Sequence, residues 1–332
     1  MRCTSRKRIG IGLLCSFLLL VLCGCGDMEY TFPYSVEYGV SSFQVVQTDL
    51  SSHADPFAQE LCIVVDNTPE EVLTVDVSGA SAALLCDLNN TEVIFAKNVH
   101  EQLNPASLTK VMTALVALKY GTLDQQLTAT DTVIITEAGA QLLGVKPGDT
   151  MTLAQALHIM LLYSANDVAM LVAEGVGGSV EAFLELMNEE AQALGATNSH
   201  FMNPHGLTED KHYTTAYDMY LIFNEAIKYE TFREIIHMSS YSTVYYDKGG
   251  NEKTVSIRST NRYFRDDFTP PDGVTVVGGK TGTTNAAGHC LILLARDTAG
   301  APYISVILRA GSSDNLYMGM TNLLSEIGSS SQ

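Results

Sequence analysis

The chain has 332 residues, with 19 Lys and Arg against 37 Asp and Glu, a formal net charge of −18, seven Cys and no Trp. So acidic a chain repels nucleic acid and anionic lipid head groups, which excludes a nucleic-acid partner and any membrane contact made through basic patches. The length is enough for one large core or two, and the sequence has no internal repeat and no low-complexity segment.

Residues 1–24 read as an export signal. Arg2, Arg6, Lys7 and Arg8 form a positive start, and Ile9 to Leu22 is an apolar run too short for the roughly 18 or more residues of a spanning helix. Leu22-Cys23-Gly24-Cys25 then places small Gly24 before a cysteine. This resembles a bacterial lipobox, with cleavage before Cys25 and a lipid on its thiol. Cys23 competes, but Leu22 is large for the position before it, and an ordinary cleaved signal with incidental cysteines is the rival reading. Cleavage removes four basic and no acidic residues, so the remaining net charge is −22. Membrane association is therefore expected through the lipid on Cys25, on the outer face of a bacterial membrane.

Residues 25–77 scatter Tyr, Ser, Asp and Pro without sustained periodicity around one apolar run, Leu61 to Val65. They read as a tether whose later part packs on a domain spanning 78–328. Ala82 to Cys86 and Glu92 to Ala96 flank Asp87-Leu88-Asn89-Asn90-Thr91 and predict a β-hairpin. From Ser107, the apolar residues Leu108, Val111, Met112, Leu115 and Val116 recur at helical spacing, and Gly121 is placed to end that helix. A helical insert follows, over about 122–238. Thr152 is an N-cap for Leu153 to Leu162, Ser179 for Val180 to Leu194 with Gly195 as the stop, and Thr214 or Thr215 starts a helix to about Lys228. Tyr241 to Tyr246 and Lys253 to Arg258 predict a second hairpin. Val274 to Val277, Cys290 to Ala295 and Tyr303 to Leu308 predict further strands, and Asp314 to Ile327 a final amphipathic helix. Strands, helices, strands, helix make the class α+β: an antiparallel sheet from both chain ends, flanked by helices, with a helical subdomain inserted. Cys86 and Cys290 lie in apolar runs as small core residues. The cysteine spacing offers no disulfide framework and no metal-ligand set, so neither metal nor cofactor is expected.

Three stretches carry chemistry. Ser107 and Lys110 lie one helical turn apart on one face, so a lysine kept neutral by burial or a neighbouring cation could activate the serine hydroxyl. A helix cap with a surface lysine is the bland reading. Tyr163-Ser164-Ala165-Asn166, at the end of the Thr152 helix, supplies a hydroxyl and a carboxamide. Gly278-Gly279-Lys280-Thr281-Gly282-Thr283-Thr284 ends a strand whose edge a substrate backbone could join, with Lys280, Thr281 and Thr283 as a carboxylate cradle.

In this order the three resemble the S-x-x-K, S-x-N and K-T-G elements of the penicillin-binding protein and serine β-lactamase superfamily. Ser259-Thr260-Asn261 also fits the middle element, and Ser313-Asp314-Asn315 reads S-D-N. Ser164 is preferred because it lies inside the helical insert. Asn104 to Thr113, Phe201-Met202-Asn203-Pro204-His205-Gly206-Leu207 and Gly278 to Gly288 are similar to low-molecular-mass D-alanyl-D-alanine carboxypeptidases from about Ser81 to Ile327. The C-terminal β-domain and amphipathic anchor of larger relatives are expected to be missing, with the lipid on Cys25 in place of the latter.

The resemblance implies a β-lactamase/transpeptidase-like fold and a serine D-alanyl-D-alanine carboxypeptidase. Its substrates would be peptidoglycan stem peptides ending in D-Ala-D-Ala, and β-lactams its inhibitors. It implies Ser107 as nucleophile, Lys110 as base, Ser164 as proton relay, and Asn166, Lys280, Thr281, Gly282 and Thr283 as substrate-binding residues. The Ser107 and Thr283 backbone N–H groups would form an oxyanion hole. His205 is expected to pack a loop, and Arg309 either binds a carboxylate or is an exposed strand end. A class A β-lactamase would need a glutamate to activate water, and none lies between Glu190 and Asn203. A β-lactam sensor, acylated once and signalling, and a transpeptidase are rival readings of the same three elements.

Overall fold

The computed structural model describes residues 60–64, 66–69, 75–265 and 267–327. The residues read as an export signal, Cys25 and most of the stretch read as a tether lie outside the described residues. Strands β1 (Ala80–Asp87) and β2 (Glu92–Lys97) form the first hairpin. Its turn closes on the Asp87 carboxylate, which accepts from the backbone N–H groups of Asn89 and Asn90 at 2.8 and 3.0 Å. The C-terminal strands β7 (Thr275–Thr284), β8 (Gly288–Arg296) and β9 (Pro302–Ala310) complete a five-stranded antiparallel sheet in the order β2-β1-β9-β8-β7. The first and last strands of the described domain thus meet at the β1–β9 pair. β7 is an edge strand.

Alternation along the strands divides the core. Ala82, Leu84 and Cys86 face a helical layer together with Ile292, Leu294, Ile304 and Val306. Ala83, Leu85, Leu291, Leu293 and Ile307 face the last helix, α7 (Ser313–Leu324), through Leu316, Met320, Leu323 and Leu324. In the helical layer, α1 (Thr109–Tyr120) runs through the middle with Val111, Met112, Leu115 and Val116 fully buried. Each such side chain contributes about 2 kcal/mol by removal of apolar area from water. Gly121 follows α1 in an extended conformation, not a left-handed one. A Cβ there would sit 2.6 Å from the Leu153 side chain and 2.8 Å from the Ala117 carbonyl, so lack of space selects the glycine.

The remaining helices are α2 (Leu153–Leu162), α3 (Asn166–Gly177), α4 (Val180–Ala193), α5 (Ala216–Ala226) and α6 (Glu230–His237). Thr152 and Gln155 form a reciprocal capping box at the start of α2. Ser179 and Thr215 cap α4 and α5 through the N–H groups of Ala182 and Asp218. Two features differ from the sequence expectation. The hairpin of β5 (Ser240–Tyr246) and β6 (Glu252–Arg258) does not join the main sheet; it pairs with β3 (Gln126–Thr128) and β4 (Thr150–Thr152) in a second sheet, β3-β4-β5-β6. Three-residue strands carry too little alternation to be read from sequence. The Thr215 helix ends at Ala226, and the separate helix α6 follows Tyr229. Among the described residues, no helix is long and apolar enough to cross a membrane.

Candidate active site

A tight 3-10 turn, Ala106–Leu108, precedes α1 and carries Ser107. Ala106 adopts φ of 48°, a conformation costing an L-residue about 1 kcal/mol or more. The surroundings enforce it. Gly206, at φ 89°, packs so closely that a Cβ would lie 1.8 Å from the Ala106 carbonyl oxygen. The Thr109 hydroxyl donates to that same oxygen at 2.8 Å. With its proton so used, Thr109 Oγ1 accepts from His212 Nε2 at 2.9 Å, while His212 Nδ1 accepts from the Met202 N–H at 3.1 Å. This network assigns one neutral tautomer to His212. Burial agrees, pushing its pKa down to about 4.

Lys110, in the first turn of α1, has no solvent exposure. Its Nζ lies 2.9 Å from Ser107 Oγ, 2.6 Å from Asn166 Oδ1 and 2.6 Å from the His205 carbonyl oxygen. The last two oxygens only accept, so they take two N–H bonds of Lys110. The third position of Nζ faces the serine hydroxyl, and in a neutral amine it is a lone pair that accepts the Ser107 proton. Burial holds the Lys110 pKa well below the usual lysine range, the charge of Lys280 lowers it further, and Asp167 opposes both. A neutral base one hydrogen bond from a serine is what nucleophilic attack by that serine requires. The bland reading of Lys110 as a surface residue is excluded by its burial.

Ser164 and Asn166 lie just past the end of α2, where the sequence reading placed them. Ser164, at φ 67°, lies in the α2–α3 connection, and Asn166 is the first residue of α3. The Lys280 Nζ donates to Ser164 Oγ at 2.9 Å and to the Thr281 carbonyl at 2.7 Å. Each buried lysine therefore holds one hydroxyl. Burial lowers the Lys280 pKa to about 7. Because Asn166 Oδ1 is turned to Lys110, its NH2 group is the side of the amide left for a ligand. Asp167, buried beside it, accepts from the N–H groups of Leu143, Gly144 and Val145 at 3.0, 2.7 and 3.0 Å. The Asn166 N–H donates to the Gln141 carbonyl at 2.8 Å. These bonds fix the 139–145 loop as one wall.

β7 supplies the opposite wall. Gly282 passes so near the nucleophile turn that a Cβ would lie 2.9 Å from the Ser107 nitrogen. The Thr281 and Thr260 hydroxyls lie 2.6 Å apart, and Thr283 Oγ1 is 3.2 Å from His289 Nδ1. Ser107, Ser164, Asn166, Thr281, Gly282 and Thr283 line one cleft of about 380 Å³, with Thr260 and Arg262 on a further side. No Asp or Glu is among the described residues lining it, whereas Lys110 and Lys280 lie beneath it. With Lys110 neutral, the positive charge at the cleft comes from Lys280 and Arg262, which suits an anion in an otherwise acidic chain.

Sequence reasoning missed several contributors. His205 acts through its carbonyl oxygen, and its ring is a buried packing group with pKa lowered to about 3 by desolvation. Ser259-Thr260-Asn261, named above as a rival for the middle element, reaches the cleft only through Thr260, and Asn261 caps the 3-10 turn Arg262–Phe264. Arg309, at φ 56°, is exposed and not among the cleft residues. Arg262 occupies the cleft in its stead, bonded to Asp314 at 2.7 Å and stacked 4.5 Å from the Phe268 ring. Among the described residues, no cluster of three or more His, Cys, Asp or Glu is placed to hold a metal ion.

The family model for D-alanyl-D-alanine carboxypeptidase, Peptidase_S11, matches residues 68–312. The chain belongs to this family. The match begins inside the stretch read as tether. The D-alanyl-D-alanine carboxypeptidase DacF of Bacillus subtilis is 35% identical over 224 residues, 65% of this chain and 54% of its own length. DacC of Escherichia coli is 31% identical over 254 residues, 73% of this chain and 59% of its own length. The chain thus spans a little over half the length of these curated relatives. Two solved structures cover nearly all of their own chains. A Streptomyces DD-transpeptidase superposes with TM-score 0.68 at 25% identity, covering 74% of this chain and 96% of that one. A D-alanyl-D-alanine carboxypeptidase from Mycobacterium tuberculosis gives 0.67 at 27%, covering 78% and 95%. The fold is therefore that of the DD-peptidases and transpeptidases, as the sequence resemblance implied.

Proposed function

We propose that this chain is a serine D-alanyl-D-alanine carboxypeptidase acting on peptidoglycan stem peptides and acylated by β-lactams. The observation that carries the reading is the bonding of Lys110, with two N–H bonds on fixed acceptors and the third position aimed at Ser107 Oγ. Ser107 Oγ bonds to the carbonyl carbon between the two terminal D-alanines, and its proton passes to Lys110 Nζ. The Ser107 and Thr283 backbone N–H groups stabilise the oxyanion. The C–N bond then breaks, with Ser164, polarised by Lys280, relaying to the leaving amine the proton that Lys110 took from Ser107. Water cleaves the resulting ester and frees Ser107. Asn166 holds the donor peptide through its NH2 group, and the edge of β7 at Gly282 receives its backbone. Lys280, Thr281 and Thr283 bind the terminal carboxylate. A β-lactam enters the same path as a strained amide beside a carboxylate.

The absence of a carboxylate from the described cleft residues disfavours the class A β-lactamase reading, which needs a glutamate base for deacylation. The test is release of D-alanine from a diacyl-D-Ala-D-Ala peptide by wild type and by Ser107→Ala. Release by wild type and its loss in the variant are expected. Fluorescent penicillin labelling with no D-alanine release would favour the sensor.

The domain reading places a lipoprotein signal at 1–24, a tether at 25–77 and the catalytic domain at 78–328, on the outer face of the membrane where peptidoglycan lies. What supports anchoring is the Leu22-Cys23-Gly24-Cys25 sequence. Cys25→Ser should move the protein from the membrane fraction to the medium. An unchanged membrane fraction would refute lipidation at Cys25.

A further inference from the structure

Two cysteines outside the cleft are brought together by segments far apart in purpose. Cys86 ends the inward face of β1, on the side that packs against the helical layer. Cys62 belongs to the irregular stretch before the sheet, yet it too has no solvent exposure. Its Sγ lies 3.3 Å from the carbonyl oxygen of Asp87, the residue after Cys86, and its N–H donates to the Tyr220 hydroxyl of α5 at 2.9 Å. The two thiols neighbour each other in one buried cluster, and both are free in this structure. Cys290 belongs elsewhere, with its thiol on the Ala287 carbonyl. Neither Cys62 nor Cys86 takes part in the chemistry proposed for Ser107.

We infer that Cys62 and Cys86 are a cross-linking pair, joined as a disulfide that fastens the N-terminal stretch to β1. The inference rests on the export reading, since disulfides persist on the oxidising side of a membrane and not in the cytosol. Geometry favours the bond. The Cys62 thiol already lies against the carbonyl of the residue after Cys86, and the two sulfurs must close to about 2.05 Å, a shift that falls on the irregular segment while β1 stays in its sheet. Near Cys62, Thr68 binds Ala96 through a backbone bond and a side-chain bond, both 2.8 Å. A covalent tie would hold this docked segment where the pull of an anchored Cys25 would act first. The pairing links residues some two dozen positions apart in two different structural contexts, which is why spacing alone does not reveal it.

The chemistry is a thiol–disulfide exchange. Each thiol loses a proton, a sulfur–sulfur bond forms between Cys62 and Cys86, and the two electrons reduce a small disulfide oxidant to two thiols. Closure happens as the segment docks during folding, before burial shuts out the oxidant.

Two preparations test the inference. Protein isolated from the extracytoplasmic side without reductant is denatured in iodoacetamide and mapped by mass spectrometry. A Cys62–Cys86 linked peptide, with Cys290 alkylated, is expected. Both Cys62 and Cys86 alkylated would overturn the inference. Separately, reduced purified protein is unfolded, then refolded with oxidised glutathione. Wild type should gain the linked peptide and Cys62→Ser should not, and reduction should lower the wild-type Tm by roughly 5–10 °C. No link in refolded wild type that binds penicillin would overturn the pairing whatever the fate of residues 1–24. Retention of those residues in the cell-derived protein would defeat the export reading alone.

Discussion

Lys110 Nζ and Lys280 Nζ are both fully buried, both hold a serine hydroxyl at 2.9 Å, and both have lowered pKa values, yet the chemistry asks opposite charges of them. Lys110 must be neutral to accept the Ser107 proton, and its neutral fraction rises with pH. Lys280 is useful as a cation, and its charged fraction falls as pH rises through about 7. The rate of acylation by penicillin should therefore follow a bell, with Lys110 setting the acidic limb and Lys280 a basic limb near pH 7. In Lys280→Met the basic limb should vanish. The acidic limb should move to higher pH, because the Lys280 charge no longer depresses Lys110. The maximal rate should fall by about 10²-fold or more, as for loss of a positioned proton-transfer group. A basic limb that survives this substitution would assign the titration elsewhere. At this scale, Ser107, Lys110, Ser164, Asn166 and Lys280 were readable because reactive side chains at fixed spacings leave a signature. The His205 contribution was not, since a backbone carbonyl is the same in every residue.

At the scale of elements, the cleft is the meeting of three rigid pieces: the turn before α1, the start of α3 and the edge of β7. Gly282 and Gly206 permit the close approaches, and Asp167 joins α3 to the 139–145 wall through three backbone N–H groups. Asp167→Asn replaces one accepting oxygen by a donor facing those N–H groups. Stability should drop by about 3 kcal/mol, the scale of losing charge-assisted hydrogen bonds and stranding buried donors. The substitution also removes the negative charge that raises the Lys110 pKa, so the acidic limb of acylation should shift to lower pH. Thermal unfolding and a pH–rate profile read the two effects separately. An unshifted profile would reduce Asp167 to a purely structural latch. Sequence patterning found the long capped helices at Thr152, Ser179 and Thr215 because caps and periodicity agree there. It missed β3, β4 and the role of the β5–β6 hairpin, because their pairing is decided by neighbours distant in the chain.

For the whole molecule, the division of labour follows from chain order. The two ends of the described domain build the main sheet through the β1–β9 pair, and the segment between them supplies the helical layer and the second sheet. The nucleophile turn leaves the sheet on one side and the β7 edge returns on the other, so the cleft forms where the layers meet. That architecture was legible from the order of periodicities. The exposed position of Arg309 and the placement of Arg262 in the cleft were not, because the first goes with a left-handed backbone inside β9 and the second with tertiary partners, Asp314 and the Phe268 ring. The central claim is that Ser107 becomes acylated. Intact mass measurement after exposure to benzylpenicillin, followed by peptide mapping, tests it most directly. One penicilloyl group per chain, located on Ser107, is the predicted result; an unmodified chain, or an adduct that persists in Ser107→Ala, would contradict it.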